Sequence, residues 1–250
     1  MRSAPVARAR RLTSPSGRRE AGRFLVEGPQ ALREAVSAGT VLEVFVTPDA
    51  AARHGELLAR VPRVHEADER ALAALSDTVT PQGIVGVASL VTVSVEASLA
   101  GKPRLVAILC DVSDPGNAGT VLRVADAAGA DAVILCGSSV DPHNGKCVRA
   151  SAGSLWHLPV AVVPTWDQAY RAARAAGLRV AATSARGVAL TDADLAPATA
   201  WVFGSEAHGL PVDAIAAADI VLAVPIPGRA ESLNLATAAA VCLYAPLLRR

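Results

Sequence analysis

LVAILCDVSDPGNAGTVLRVADAAGADAVILCG, residues 105–137, decides the fold class. It opens on a strand-like run over 105–112, apolar except for Asp111, the composition of a strand covered on both faces. A polar loop follows, and Asn117 stands where a helix over 118–128 needs a cap, with Gly129 as its stop. A second apolar run at 132–137 completes a strand–helix–strand unit, which joins parallel strands. The alternation continues with a helix over 167–176 and strands over 178–184, 200–204 and 220–226. An apolar helix over 233–243 closes the chain, and Pro246 bends or ends it. The expectation is an α/β fold with a mostly parallel sheet covered on both faces.

A smaller α/β module precedes this one. FLVEG (24–28) reads as a strand end, and 29–39 has helical spacing with Ala31, Leu32, Ala35 and Val36 apolar. Strands are expected over 41–48 and 84–91, with helices over 50–58 and 68–75. The expected organisation is a flexible basic arm over 1–20, an N-terminal domain over 21–94, a linker over 95–103 and a C-terminal domain over 104–250.

Composition excludes several classes. Hydrophobic residues make up 52% of the chain and aromatics only 3%, which argues against binding single strands on a row of aromatic rings. No apolar run reaches the roughly 18–20 residues of a membrane span, and no apolar stretch follows the N-terminal arginines as in a secretory signal. Cys110, Cys136, Cys147 and Cys242 are scattered without a CxxC pair, and His54, His65, His143 and His157 have no ligand spacing. No metal site is expected, and three of the four cysteines read as buried thiols of a reducing compartment, with the cytoplasm as the expected location. Trp156, Trp166 and Trp201 read as packing residues. The chain carries a net charge of +1, but residues 1–23 hold seven arginines and one acid. A basic segment on a mildly acidic body suits a polyanion. Arg10, Arg11, Arg18, Arg19 and Arg23 are therefore the candidate RNA or DNA contacts.

Three polar clusters follow strand-like runs, where a parallel sheet places its ligands. They are DPGNAGTVLR (114–123), FGSEAHGL (203–210) and VPIPGRAESLNLAT (224–237). Gly116 and Gly119 do not complete a GxGxxG fingerprint, no phosphate-binding Gly-Lys-Ser/Thr loop exists, and Ser205 is not in a GxSxG elbow. Each residue also has a structural reading. Asn117 and Ser232 could be helix caps, Arg123 a surface residue paired with Asp126, and Glu206 a loop-orienting acid.

Together the three clusters resemble the three motifs of the SpoU (TrmH) family of RNA ribose 2′-O-methyltransferases. Asn117 and Arg123 match the first. Gly204, Glu206, Gly209 and Leu210 match the second, and Val224, Pro225, Ile226, Ser232, Leu233 and Asn234 the third. RASAGSLWHLPV (149–160) resembles a family stretch between them, and SGRREAGRFLVEGPQALREA resembles the small ribosomal-protein-like RNA-binding domain of many members. Ala236 and Ala245 stand where the family often has Ser and Glu.

The resemblance implies a C-terminal domain with a deep trefoil knot, a homodimer and S-adenosylmethionine as cofactor. Gly204, Val224 and Leu233 would line the cofactor pocket, with Thr183 a further candidate. Asn117, Arg123, Glu206, Ser232 and Asn234 form the implied catalytic set, with Asn117 orienting Arg123 through its amide oxygen and Glu206 pairing with an arginine or holding its loop. The implied activity is methyl transfer to a ribose 2′-OH, with ribosomal RNA as substrate. Transfer RNA, a resistance methyltransferase and an RNA-binding assembly factor with a methyltransferase-like fold are the alternatives.

Overall fold

The computed structural model describes residues 4–78 and 81–249. They form two compact units. One holds the chain up to Val91 together with Asp141–Trp156, and the other holds Thr92–Val140 together with the chain from His157.

The first unit is built on strands β1 (Arg23–Glu27), β2 (Val41–Val46), β3 (Val64–Glu66) and β4 (Ile84–Ser89), in the order β1-β4-β2-β3. Only the β2–β3 pair is parallel. β3 was not expected, because three residues flanked by charge give no period to read. The expected helix over 50–58 is two helices, Pro48–Arg53 and Gly55–Leu58, broken at His54. The helix Pro29–Ser37 packs so closely on the sheet that a Cβ on Gly86 would lie 2.6 Å from Leu32 Cδ1.

The expected flexible arm is instead folded over its described residues. Helix Ala4–Arg10, a 3-10 turn Arg11–Thr13 and helix Pro15–Ala21 run into β1. Val6, Ala9 and Leu12 recur every third residue, and all three join the core formed by Leu25, Phe45, Leu72, Leu75, Val85 and Val87. The surrounding arginines hide this apolar stripe from a reading by composition. Ser14 Oγ accepts from Gly17 N at 3.1 Å to cap the second helix, and Gly22 ends it in the left-handed conformation.

Arg18 is the exception among the candidate RNA contacts. It is 3% exposed, and its Nε donates to Asp141 Oδ2 at 2.7 Å while Nη1 donates to the Leu12 and Thr13 carbonyls. Its charge is committed to the fold, so Arg18 is corrected from RNA contact to structural anchor. Burial opposes ionisation of Asp141, yet hydrogen bonds from the His143 ring and backbone and from Arg18 hold its carboxyl well below the usual carboxylate range. The rest of the 141–156 segment, expected inside the C-terminal domain, is tied to this unit in the same way. His143 Nε2 accepts from Val91 N at 3.1 Å, Arg149 pairs with Glu27, and Trp156 Nε1 donates to Thr40 Oγ1 at 3.1 Å.

The second unit has six parallel strands: β5 (Leu105–Cys110), β6 (Ala132–Cys136), β7 (Val160–Val163), β8 (Arg179–Ala189), β9 (Thr199–Phe203) and β10 (Ile220–Ala223). Their order is β10-β8-β9-β5-β6-β7. On one face Val106, Ile108, Ile134, Val180 and Val202 pack under Tyr170 of helix Trp166–Ala175. Helices Pro115–Ala127 and Leu235–Leu248 pack against each other, and Trp201 and Phe203 are buried. The expected linker contributes helix Val95–Ser98 and the core residue Leu99. Pro246 lies inside the last helix. Between β8 and β10 the register jumps: Val221 pairs with Ala182, but Leu222 pairs with Val188. Residues 183–187 thereby leave the ladder beside the end of β9. Arg249 closes the chain by donating to the Leu190 and Ala193 carbonyls at 2.8 and 2.9 Å.

Removing one partner of a buried ion pair leaves an uncompensated charge, so Arg18→Ala is expected to cost about 3 kcal/mol in urea unfolding. Because the Asp141 pKa is depressed in the fold, its contribution is present above its unfolded value near ~3.9 and is lost as pH falls below it. Asp141→Asn should therefore be less stable than wild type at neutral pH, and the gap should close in strong acid.

Candidate active site

The three motif loops follow β5, β9 and β10, at the carboxyl ends of parallel strands. After β5 the chain enters helix Pro115–Ala127, whose cap is Asp114 rather than Asn117. Asp114 Oδ1 accepts from Asn117 N at 2.8 Å, and Pro115 takes the first helical position, where its missing N–H costs nothing. The helix thus starts three residues earlier than expected, and the Asn117 side chain is free for other partners.

Those partners come from the other two motifs. Asn117 Nδ2 donates to Glu206 Oε1 at 2.7 Å, and Asn117 Oδ1 accepts from Asn234 Nδ2 at 3.1 Å. Asn234 caps the last helix, its Oδ1 accepting from Ala236 N at 2.9 Å and Thr237 N at 3.3 Å. The cap role weighed for Ser232 therefore belongs to Asn234, and Ser232 is exposed in the loop before it. The two cap bonds fix which end of the Asn234 amide is oxygen. Its NH₂ must then face Asn117, whose NH₂ must face the acceptor-only carboxylate. Asn234 donates to the Asn117 oxygen, Arg123 makes no hydrogen bond to it among the described residues, and Glu206 is held by an amide rather than an arginine.

The Glu206 loop is narrow. Ser205 and Gly209 exchange both backbone hydrogen bonds, and His208 N donates to Ser205 Oγ. A Cβ on Gly204 would lie 2.3 Å from Gly209 C and Leu210 N. The neighbour that demands glycine there is the chain's own return. Thr183 Oγ1 donates to the Val202 carbonyl at 2.8 Å, tying β8 to β9, so its proton is committed while its oxygen can still accept. Val224 is half-buried and Leu233 exposed at either end of an extended loop after β10. Between Pro225 and Leu233 no peptide group makes a backbone hydrogen bond among the described residues.

Arg123 is exposed and has no hydrogen-bond or ion-pair partner among the described residues. The alternative partner, Asp126, accepts from His157 Nδ1 at 2.7 Å instead. Arg10, Arg19 and Arg23 are exposed, and Arg11 is exposed with a salt bridge to Glu20 at 2.8 Å.

Sequence reasoning missed Asp111. Ser138 N and Oγ both donate to its Oδ1, at 2.7 and 2.8 Å, pinning the loop after β6 to the start of the first motif loop. The backbone N–H of Ser138 is the main cause holding the Asp111 carboxyl below its ordinary range, against a smaller opposition from burial. Gly137 permits this, since a Cβ there would sit 2.3 Å from Asp111 Oδ1. The available signal was the Gly-Ser-Ser step after the β6 run.

Residues 104–244 match the SpoU rRNA Methylase family, and residues 4–86 match the MRM3-like substrate binding domain. A 23S rRNA (guanosine(2553)-2′-O)-methyltransferase RlmP of Bacillus subtilis is 32% identical over 94% of this chain and 92% of its own length. The SpoU methyltransferase AviRb from Streptomyces viridochromogenes, solved with AdoMet, superposes with a TM-score of 0.89 at 28% identity, covering 100% of this chain and 98% of that one. An AdoMet-bound rRNA methyltransferase from Sinorhizobium meliloti superposes with a TM-score of 0.87 at 30% identity, covering 100% and 96%. With more than half of its length inside the family model, and the three motif loops joined by one chain of amide hydrogen bonds, this protein belongs to the SpoU rRNA Methylase family.

Proposed function

We propose that the protein transfers a methyl group from S-adenosylmethionine to a ribose 2′-OH of ribosomal RNA. The observation that carries this reading is the Asn234–Asn117–Glu206 chain, which brings three motif side chains together, with Arg123 exposed and uncommitted on the helix that carries Asn117. The AdoMet-bound SpoU structures and the rRNA-modifying relative support the cofactor and the substrate class.

The residues present fit the cofactor. The extended loop 225–233 offers peptide groups without backbone partners, which suit the hydrogen-bonding edges of an adenine or an amino-acid moiety. Val224, Leu233 and the backbone of Gly204 would hold it, with the Thr183 oxygen available only as an acceptor. When bound, S-adenosylmethionine supplies an electrophilic methyl group on sulfonium.

The protein's share is orientation and charge. A 2′-OH must lose its proton as its oxygen bonds to carbon, so the site has to hold that oxygen in line and stabilise the developing negative charge. Arg123 is permanently protonated and acts as an electrostatic clamp on the alkoxide and the adjacent phosphate rather than as a base. Ser232 and Asn234 line the same loop and position the ribose or phosphate. Glu206 fixes the amide chain through Oε1, with Oε2 left to accept a further hydrogen bond.

Two finer features belong to this reading. The C-terminal helix threads a trefoil knot, supported by the register jump between β8 and β10 and by the grip of Arg249 on the Leu190 and Ala193 carbonyls. The enzyme works in the cytoplasm as a homodimer, the pairing supported by a last helix that is apolar on all sides yet exposes Val241, Leu247 and Leu248. No helix among the described residues is long and apolar enough to cross a membrane.

The deciding experiment supplies methyl-labelled S-adenosylmethionine with deproteinised rRNA, tRNA and ribosomal subunits, and maps the product as an alkali-resistant linkage. Label at such a position in rRNA is the expected result. Label confined to tRNA would overturn the substrate, and cofactor binding without transfer to any RNA would overturn the reaction. Arg123→Ala should lower kcat by about 10²–10³-fold while the cofactor Kd from calorimetry stays unchanged. Gly204→Ala should weaken cofactor binding and turnover together, because its Cβ displaces the 209–210 backbone.

A further inference from the structure

Helix Pro115–Ala127 carries two charged side chains, Arg123 and Asp126. They stand three residues apart, the spacing of neighbours on one helix face and of an intrahelical ion pair. No such pair forms. Arg123 is exposed and makes no hydrogen bond or ion pair among the described residues. Asp126 Oδ2 accepts instead from His157 Nδ1 at 2.7 Å, inside the second unit. A carboxylate can only accept, so Nδ1 carries the proton.

Asp126 sits where its own helix disfavours it. It lies in the last turn, in which no basic residue stands. The free carbonyls there already concentrate partial negative charge, and a cation rather than an anion is favoured. The carboxylate is half-buried, so it needs a donor. Two are available, the Arg123 guanidinium on the same helix and the His157 ring. His157 is delivered on a fixed backbone. It follows the 3-10 turn Ser154–Trp156, and two residues later the Pro159 carbonyl accepts from Val133 N at 3.1 Å, where β7 joins β6. Its short side chain loses less freedom on pairing than the long arginine stem.

The competition matters for chemistry. A guanidinium that clamps an alkoxide and a phosphate needs its N–H groups and its full charge. A carboxylate bound to it would take both. We infer that His157 is a positioning residue for methyl transfer: it holds the Asp126 carboxylate and so keeps Arg123 free for the ribose oxygen and phosphate. This role presupposes the methyl transfer proposed above. Neither His157 nor Asp126 belongs to the three motif clusters.

The test is kcat/KM for methylation of deproteinised rRNA by the full-length protein. His157→Ala should lower it about two- to fivefold, the scale of one partly exposed ion pair, with the cofactor Kd unchanged. The loss should shrink at high salt, which screens the new Arg123–Asp126 pair. Asp126→Ala alone should retain wild-type kcat/KM, and His157→Ala/Asp126→Ala should regain it. His157→Asn, whose amide can donate from nearly the same place as Nδ1, should stay near wild type. Thermal melts accompany each variant. Should His157→Ala not fold, His157→Leu, which fills the ring's volume and donates nothing, carries the same expectation.

A contact that only braces the fold would be broken equally by either substitution. Equal losses in His157→Ala and Asp126→Ala would therefore overturn the inference, as would wild-type kcat/KM in His157→Ala. Nitrogen-15 NMR of the arginine side chains reads the pairing without turnover. The Arg123 Nε–H signal, identified by its loss in Arg123→Ala, should exchange with water more slowly in His157→Ala and return to the wild-type rate in the double variant. Unchanged exchange in His157→Ala would overturn the inference even in an active enzyme. If the wild-type protein methylates no RNA, the transferase reading fails, and the exchange rates still decide which partner holds Asp126.

Discussion

The site depends on one chain of hydrogen bonds running from a helix cap to a carboxylate. The last helix begins with two backbone N–H groups that need an acceptor, and Asn234 Oδ1 supplies it. That choice turns the Asn234 NH₂ toward Asn117, and Asn117 in turn toward Glu206. Each amide therefore has one orientation, set by a backbone requirement at one end and an acceptor-only group at the other. Such chains polarise their members and rigidify the elements that carry them. The first motif loop is thereby fixed to two loops that lie 89 and 117 residues further along the chain.

The glycines and Asp111 serve the same end. Gly204 lets the Glu206 loop fold back on itself, and Gly137 lets Ser138 reach Asp111 just ahead of the first motif. Both exist because backbone approaches backbone or carboxylate at distances no Cβ tolerates. Arg123 is exposed on the helix that carries Asn117, and its expected partner, Asp126, is already engaged by His157.

Much of this was legible in the sequence, and the exceptions have physical causes. The parallel sheet announced itself through long apolar runs, and the motif residues through three polar clusters after them. β7 and β3 are too short to show a period. The Arg-rich start looked unstructured because composition outweighed the Val6, Ala9, Leu12 stripe that folds it. Arg18 looked like its neighbours, and only the distant Asp141 makes it a buried anchor. Asn117 was placed as a cap because Pro115 and Asp114 were read as loop. The Asp114 cap and the amide chain are long-range facts about side-chain direction, which a linear pattern does not carry.

A double-mutant cycle on kcat/KM for methyl transfer, using Asn117→Ala and Asn234→Ala, tests the central claim most directly. If the two amides act as one hydrogen-bonded unit, either substitution alone removes most of what both together remove, and the coupling is about 1–3 kcal/mol. Strictly additive losses would contradict the account, because they would mean that the amide chain binds the three loops in structure only.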